Sequence, residues 1–140
     1  MSININNSQI VCPHKLTDSV NNRKVVTKQW GIEFILPGHG YTTKIMQIKP
    51  GFKSSLHFHQ HKNETFVLVQ GQLNVEFYEP DSEKRSYELI EPLSCLILPA
   101  CTPHSFSVPK TQEGPSIFIE SSTVDDADDN YRLTRSGIDA

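Results

Sequence analysis

The chain has 140 residues, enough for one domain with a real hydrophobic core. Its 13 basic and 16 acidic residues leave a formal charge of −3. No basic stripe runs along it, which excludes the electrostatic footprint of a nucleic-acid binder. No apolar run reaches the length of a signal peptide or a membrane span, so a cytoplasmic protein is expected.

Residues 1–25 open polar and asparagine-rich and read as a loosely attached arm, to which Val25-Val26 could add one strand. From Trp30, read as a core anchor at strand entry, short apolar or alternating runs recur. They cover residues 30–36, 43–48, 55–59, 65–69, 73–78, 86–90, 94–98, 104–108 and 116–121. Turn-formers close each run: Pro37-Gly38-His39-Gly40, Pro50-Gly51, Gln70-Gly71, Glu79-Pro80-Asp81, Glu91-Pro92, Pro99 and Glu113-Gly114-Pro115. A hairpin is expected through Gly71, and residues 79–85 read as an exposed loop. No segment shows a helical period, so the punctuation predicts an all-β sandwich or barrel, and closing the sheet would also manage its edges. The division expected is an arm over 1–25, a barrel over 26–124 and an acidic tail over 125–140 carrying Tyr131 and Arg132.

Cys12, Cys95 and Cys101 are odd in number and not spaced as CxxC. Three reduced thiols are expected, two of them packed as small hydrophobes. Cys101, three residues before His104, has a second reading as a ligand or redox-sensitive thiol.

The chemistry concentrates in residues 51–71. In a strand His57 and His59 share one face and can converge on one ion. Glu64 opens the next apolar run and could reach that ion from the neighbouring strand, and His104 supplies a fourth candidate. HxH alone is a weak signal, but HxHx4E bracketed by Gly51 and Gly71, with a distal Pro99 and His104, is a strong one. Imidazole and carboxylate suit one divalent ion such as manganese, iron, nickel, cobalt or zinc. Four protein ligands on an octahedral ion leave two positions open, whereas a structural zinc site more often uses cysteine and closes its shell. The blander reading keeps the histidines as liners of an empty pocket. His61 reads as a turn residue, and His14 and His39 as solvent or rim positions.

The pattern Gly51, five residues, His57, one residue, His59, four residues, Glu64, six residues, Gly71 matches the first cupin motif, and the chain resembles that family. The second motif is looser: Pro99 and His104 are in place, but Leu93 and Cys101 stand where glycine is usual and Val108 where asparagine is. The resemblance covers roughly residues 30–121. It implies a double-stranded β-helix (jelly-roll) barrel of six to eight strands with the metal near mid-cavity, and a homodimer that could use the arm before Trp30.

More finely, the chain resembles the cupin domain of type II mannose-6-phosphate isomerases. The likeness rests on Lys28-Gln29-Trp30-Gly31, Tyr41-Thr42-Thr43-Lys44, the serine-containing approach to His57, Lys62 two residues before Glu64, Ile119-Glu120, and Asp128-Asp129-Asn130-Tyr131-Arg132. The nucleotidyltransferase half of the longer enzymes has no counterpart here. The resemblance implies a sugar or sugar-phosphate isomerase working through a metal-stabilised enediolate. Glu120 is then the candidate base, Lys53 orients a hydroxyl or binds an anion by sharing strand parity with His57, and Arg132 clamps a phosphate or carboxylate. Tyr41 and Lys44 would contact substrate. The blander readings place Glu120 at a solvent-facing strand end, Lys53 on the surface, and Arg132 in a pair with Asp128 or Asp129. Two other functions fit the same ligands: a non-heme iron dioxygenase, and a non-catalytic cupin that binds a small polar metabolite.

Overall fold

The computed structural model describes residues 2–5, 8–11, 21–123, 126–135 and 137–138; Cys12 and His14 lie outside them. No helix occurs among these residues. The strands in chain order are β1 (Ser2–Ile5), β2 (Ser8–Val11), β3 (Lys24–Lys28), β4 (Gly31–Pro37), β5 (Tyr41–Ile48), β6 (Phe52–Lys53) and β7 (His57–Phe58). They continue as β8 (Glu64–Gln70), β9 (Leu73–Tyr78), β10 (Lys84–Leu89), β11 (Cys95–Leu98), β12 (His104–Ser107), β13 (Ser116–Thr123), β14 (Tyr131–Arg132) and β15 (Gly137–Ile138).

Alternation in the sequence becomes the two sides of these strands. In β8, Glu64, Phe66 and Leu68 are buried while Val69 and Gln70 are exposed; in β13, Ser116, Phe118, Glu120 and Ser122 point inward. The inward set builds two antiparallel sheets, one ordered β11-β8-β13-β5-β4-β3 and the other β10-β9-β12-β6-β15, with β7 paired to β12 and β14. A separate ladder joins β1 and β2. The all-β double-sheet jelly roll expected from the sequence is therefore present. Its strand count exceeds six to eight because the segment carrying His57 breaks into the short pieces β6 and β7, the tail adds β14 and β15, β1 and β2 form a ladder of their own, and β3 extends the sheet at the edge. The tail is not wholly irregular either, since β14 pairs β7 and β15 pairs β6.

Between the sheets lie Ile48, Phe66, Leu68, Leu73, Val75, Leu98, Phe106 and Phe118, all buried. Phe118 sits 5.2 Å from both Phe66 and Phe106, in tilted and edge-on arrangements that ring quadrupoles favour. This core holds β8, β12 and β13 in register, and those strands carry Glu64, His104 and Glu120.

Of the four non-glycine residues with left-handed backbone among the described residues, two fall in motif turns. Leu93 (φ 71°) and Cys101 (φ 65°) hold left-handed conformations, at the two places where the second cupin motif has glycine. A side chain there costs about 1–2 kcal/mol of local strain. Gly71 (φ 79°) keeps its glycine for a second reason: a Cβ would stand 2.5 Å from Ser116 Oγ. Cys95 and Cys101 are free and exposed, which corrects the expectation of thiols packed as small hydrophobes.

Candidate metal centre and its cavity

The strand carrying the two histidines is interrupted just before them. Residues 54–56 leave the sheet, and Ser54 Oγ accepts the Phe106 N–H at 2.9 Å while Ser54 N–H donates to Phe106 O at 2.8 Å. Ser54 and Ser55 are both buried, so strand parity is lost between β6 and β7. This corrects the inward placement of Lys53. It is half-exposed and its ammonium pairs with Glu76 at 3.5 Å on the outer face, away from the cavity that His57 and His59 line.

Three backbone carbonyls then set the imidazoles. His57 Nδ1 lies 2.8 Å from Ser55 O, His59 Nδ1 2.6 Å from Asp129 O, and His104 Nδ1 2.8 Å from Thr102 O. A carbonyl only accepts, so in each ring Nδ1 carries the proton and Nε2 keeps its lone pair. One nitrogen from each ring falls within 4.8 Å of the others. The register places His104 opposite His57. Glu64 is buried beside them, with Oε1 3.3 Å from His59 Nε2 and Oε2 3.0 Å from His104 Nε2.

The donor set fits a divalent ion on the structure's own terms. Glu64 Oε2 and His104 Nε2 are buried without a hydrogen-bond partner, although 3.0 Å apart. The two approach closely but are not aligned as donor and acceptor. Orphaned buried acceptors are costly, and a cation shared with the other imidazoles would satisfy both. Nitrogen and oxygen donors together suit a borderline divalent metal.

Electrostatics follow burial and neighbours. Burial, then the adjacent His104, lowers the His57 pKa to about 4. Burial works the same way on His59, but the Glu64 carboxylate and the Asp129 carbonyl outweigh it and raise its pKa. For Glu64, burial alone would raise the carboxyl, but the adjacent His104 and His59 rings and the Lys62 ammonium outweigh it and hold the carboxyl well below the usual range. Glu120 goes the other way: burial, then the charge of Glu64, pushes it up to about 8.

A cavity of about 410 Å³ opens onto this centre and is lined by His57, His59, Glu64, Glu120, Lys44 and Lys62, with Lys24, Lys28 and Glu33 further out. Glu120 is buried rather than solvent-facing; its Oε2 lies 3.9 Å from Lys44 Nζ and 4.0 Å from Lys62 Nζ. Lys44 also pairs with Glu33 at 3.4 Å. Arg132 is exposed and borders a smaller hollow of about 140 Å³ beside His57, Ser55 and Trp30. It does not take the Asp129 carboxylate, which three backbone N–H groups occupy. Tyr41 stands at the exposed start of β5, 59% accessible, with its ring against Gly38. The structure thus brings His57, His59, His104, Glu64, Glu120 and Lys44 together, sets Arg132 at the margin, and leaves Tyr41 and Lys53 outside the cavity lining. A larger open groove of about 1020 Å³, lined by Leu56, Phe77, Ile97, Pro99, Cys101 and Leu133 among others, contains none of these charged groups.

Two residues acquire roles that the sequence reading did not give them. Lys62 is buried, with its ammonium 3.1 Å from Glu64 Oε1; its place two residues before Glu64 was the available signal. Asp129 is buried and bonded to the loop after His59; its signal was the Asp-Asp-x-Tyr-Arg run.

Residues 15–134 match the family model described as mannose-6-phosphate isomerase C-terminal. No curated protein sequence matches the chain. Among solved structures, the capsular polysaccharide assembling protein CapF from Staphylococcus aureus superposes with a TM-score of 0.68 at 22% identity, over 86% of this chain and 34% of its own. Oxalate decarboxylase from Bacillus subtilis gives 0.70 at 18% identity, over 82% of this chain and 31% of its own. The Lactobacillus farciminis oxalate decarboxylase gives 0.69 at 17% identity, over 82% and 35%. At these identities the likeness is one of fold, and the chain spans about a third of each structure. The chain belongs to the mannose-6-phosphate isomerase C-terminal family and has the cupin fold.

Proposed function

We propose that this member of the family is a metal-dependent isomerase-like enzyme acting on a small sugar or sugar phosphate. The observation that carries the reading is Glu120: a buried carboxyl in the same cavity as the His57 and His59 imidazoles and Glu64, within 3.9 and 4.0 Å of two lysine ammonium groups. Moving a proton between adjacent carbons needs one group that both takes and returns it, which is most efficient with a pKa near the working pH. Burial brings the Glu120 carboxyl up to about 8, and Lys44 and Lys62 keep its ionised form accessible.

His57, His59, His104 and Glu64 would hold the ion. A divalent ion held by these residues would supply stabilisation of the negative charge that develops on the substrate oxygens as the proton is removed. The protein's own work is then division of labour. Glu120 Oε2 removes the proton from the carbon beside the carbonyl and delivers it to the neighbouring carbon. Lys24 and Lys28, exposed in the cavity lining, favour a substrate with an anionic end.

The test is proton exchange. Wild-type protein loaded in turn with manganese, cobalt, nickel, zinc and ferrous iron is incubated with hexoses and hexose phosphates in deuterated water, and loss of the C2 proton is followed by NMR. Exchange is expected with at least one metal, and Glu120→Gln should reduce it by about 10²–10⁴-fold while keeping the metal. No exchange with any substrate, or full exchange in Glu120→Gln, would overturn the assignment. Oxygen uptake by the ferrous form would instead support dioxygenase chemistry.

A further inference from the structure

Resting on the metal reading above, we infer that Asp129 is a positioning residue for the metal centre, acting through the loop between the ligands His59 and Glu64 and through the His59 ring. Its carboxylate is engaged by the backbone of that loop. Oδ1 accepts the Gln60 N–H at 2.7 Å, and Oδ2 accepts those of His61 and Lys62 at 3.0 and 3.1 Å. Three successive N–H groups in one turn have no ladder partner of their own, and a concave run of such donors is an anion site that a carboxylate can fill. The same residue's carbonyl takes the His59 Nδ1–H at 2.6 Å. One residue therefore fixes both the ring of one ligand and the loop leading to the next.

The arrangement reaches further than one side chain. Strand β14 pairs with β7 so that Arg132 lies opposite His57 and Tyr131 opposite Phe58. Tyr131 and Phe58 stack at 5.0 Å with an interplanar angle of 14°. Leu133 N–H then donates to Leu56 O at 2.7 Å, and Thr134 Oγ1 accepts the Leu56 N–H at 2.8 Å. Residues 129–134 so form a strap along residues 56–62, the segment that carries His57 and His59. Asp129 is 7% accessible, whereas its neighbour Asp128 is exposed and has its own N–H bonded to Asp126 Oδ1. Burial of a charged carboxylate with every contact directed at the ligand loop is what separates Asp129 from the rest of the acidic run. Partners that orient metal ligands in this way are typically worth about 10–100-fold in metal affinity.

The experiment compares the full-length wild type with Asp129→Ala, Asp129→Asn and Asp128→Ala. Cobalt(II) affinity, the visible d–d spectrum at saturating cobalt, and the thermal midpoint of the metal-free protein are read for each. Asparagine retains a single acceptor oxygen in place of two, so Asp129→Asn should lose part of the affinity and Asp129→Ala about 10–100-fold. Both should shift the saturated spectrum, and Asp128→Ala should change nothing. A variant with a lowered thermal midpoint but wild-type affinity and spectrum would reduce Asp129 to a structural role and overturn the inference. If Asp129→Ala does not fold, Asp129→Asn decides alone by the same criteria, and a failure of both to fold also assigns Asp129 to the fold. Absence of cobalt binding by the wild type would instead strike the metal reading itself.

Discussion

The barrel carries two networks of lysine and glutamate, one on each side of its wall, and they obey different physics. Outside, Glu76 sits between Lys53 at 3.5 Å and Lys84 at 3.3 Å, with both lysine side chains about half accessible, at 51% and 52%. Inside, Lys62 reaches Glu64 at 3.1 Å and Glu120 at 4.0 Å with 5% of its side chain accessible. Water screens the outer pairs and holds them near zero net energy. The inner groups have given up hydration, so each depends on its neighbours and a single removal leaves an uncompensated charge. The same residue types are decoration on one face and machinery on the other.

The largest effect should come from the centre of the inner network. Replacing His57 or His104 by alanine should abolish stoichiometric metal binding, read by metal analysis of the purified protein, while the β circular-dichroism signature persists. The barrel is held by apolar burial rather than by the ion, so retained metal would remove these residues from the ligand set. Next, Lys62→Met should cost about 3–5 kcal/mol of unfolding free energy in denaturant titration, because it removes the buried ammonium 3.1 Å from the Glu64 carboxylate. Its outer counterpart, Lys84→Ala, should cost less than about 1 kcal/mol. Equal costs would erase the contrast between the faces.

Protons sharpen the same contrast. A metal competes with protons for imidazole, and His59, whose pKa is raised, protonates before His57, which stays neutral down to about 4. Loading therefore releases a proton when it starts from protonated His59, and affinity must rise with pH through the His59 titration. Below that titration, calorimetry should show affinity falling by about tenfold per pH unit, one proton per ion. A flat profile across the histidine range would contradict the ligand role of His59. The smallest effect lies far from the cavity. Leu93 is 79% accessible and left-handed, so Leu93→Gly relieves strain with little packing lost and should stabilise the fold by about 0.5–1 kcal/mol after the entropy cost of glycine.

The sequence made most of the scaffold legible because strands and turns announce themselves locally. The inward positions of β8 and β13 alternate as written, and the chain does turn at Gly71, but the hairpin expected there is not formed: β8 and β9 belong to different sheets, so Gly71 carries the chain across from one sheet to the other. Spacing also brought out the histidines and Glu64, since HxH in a strand needs no long-range information. What failed depended on a break in periodicity. Lys53 shares parity with His57 only if residues 54–56 stay in the strand, and they leave it because Ser54 bonds to Phe106 on β12. Lys62 and Asp129 carried only a positional signal, for a related reason: a lysine in a turn and an aspartate in an acidic run look solvated until a distant partner buries them.

The three carbonyls that hold the imidazole Nδ1–H groups have one more consequence. A free histidine ring must stop turning and choose a tautomer before it can bind, and that lost freedom subtracts from affinity. Here the rings are halted by Ser55, Thr102 and Asp129 through bonds that need no ion. The rings are therefore oriented in advance, so an ion held there would be selected by distance and angle, and one of the wrong radius would meet donors that do not turn to follow it.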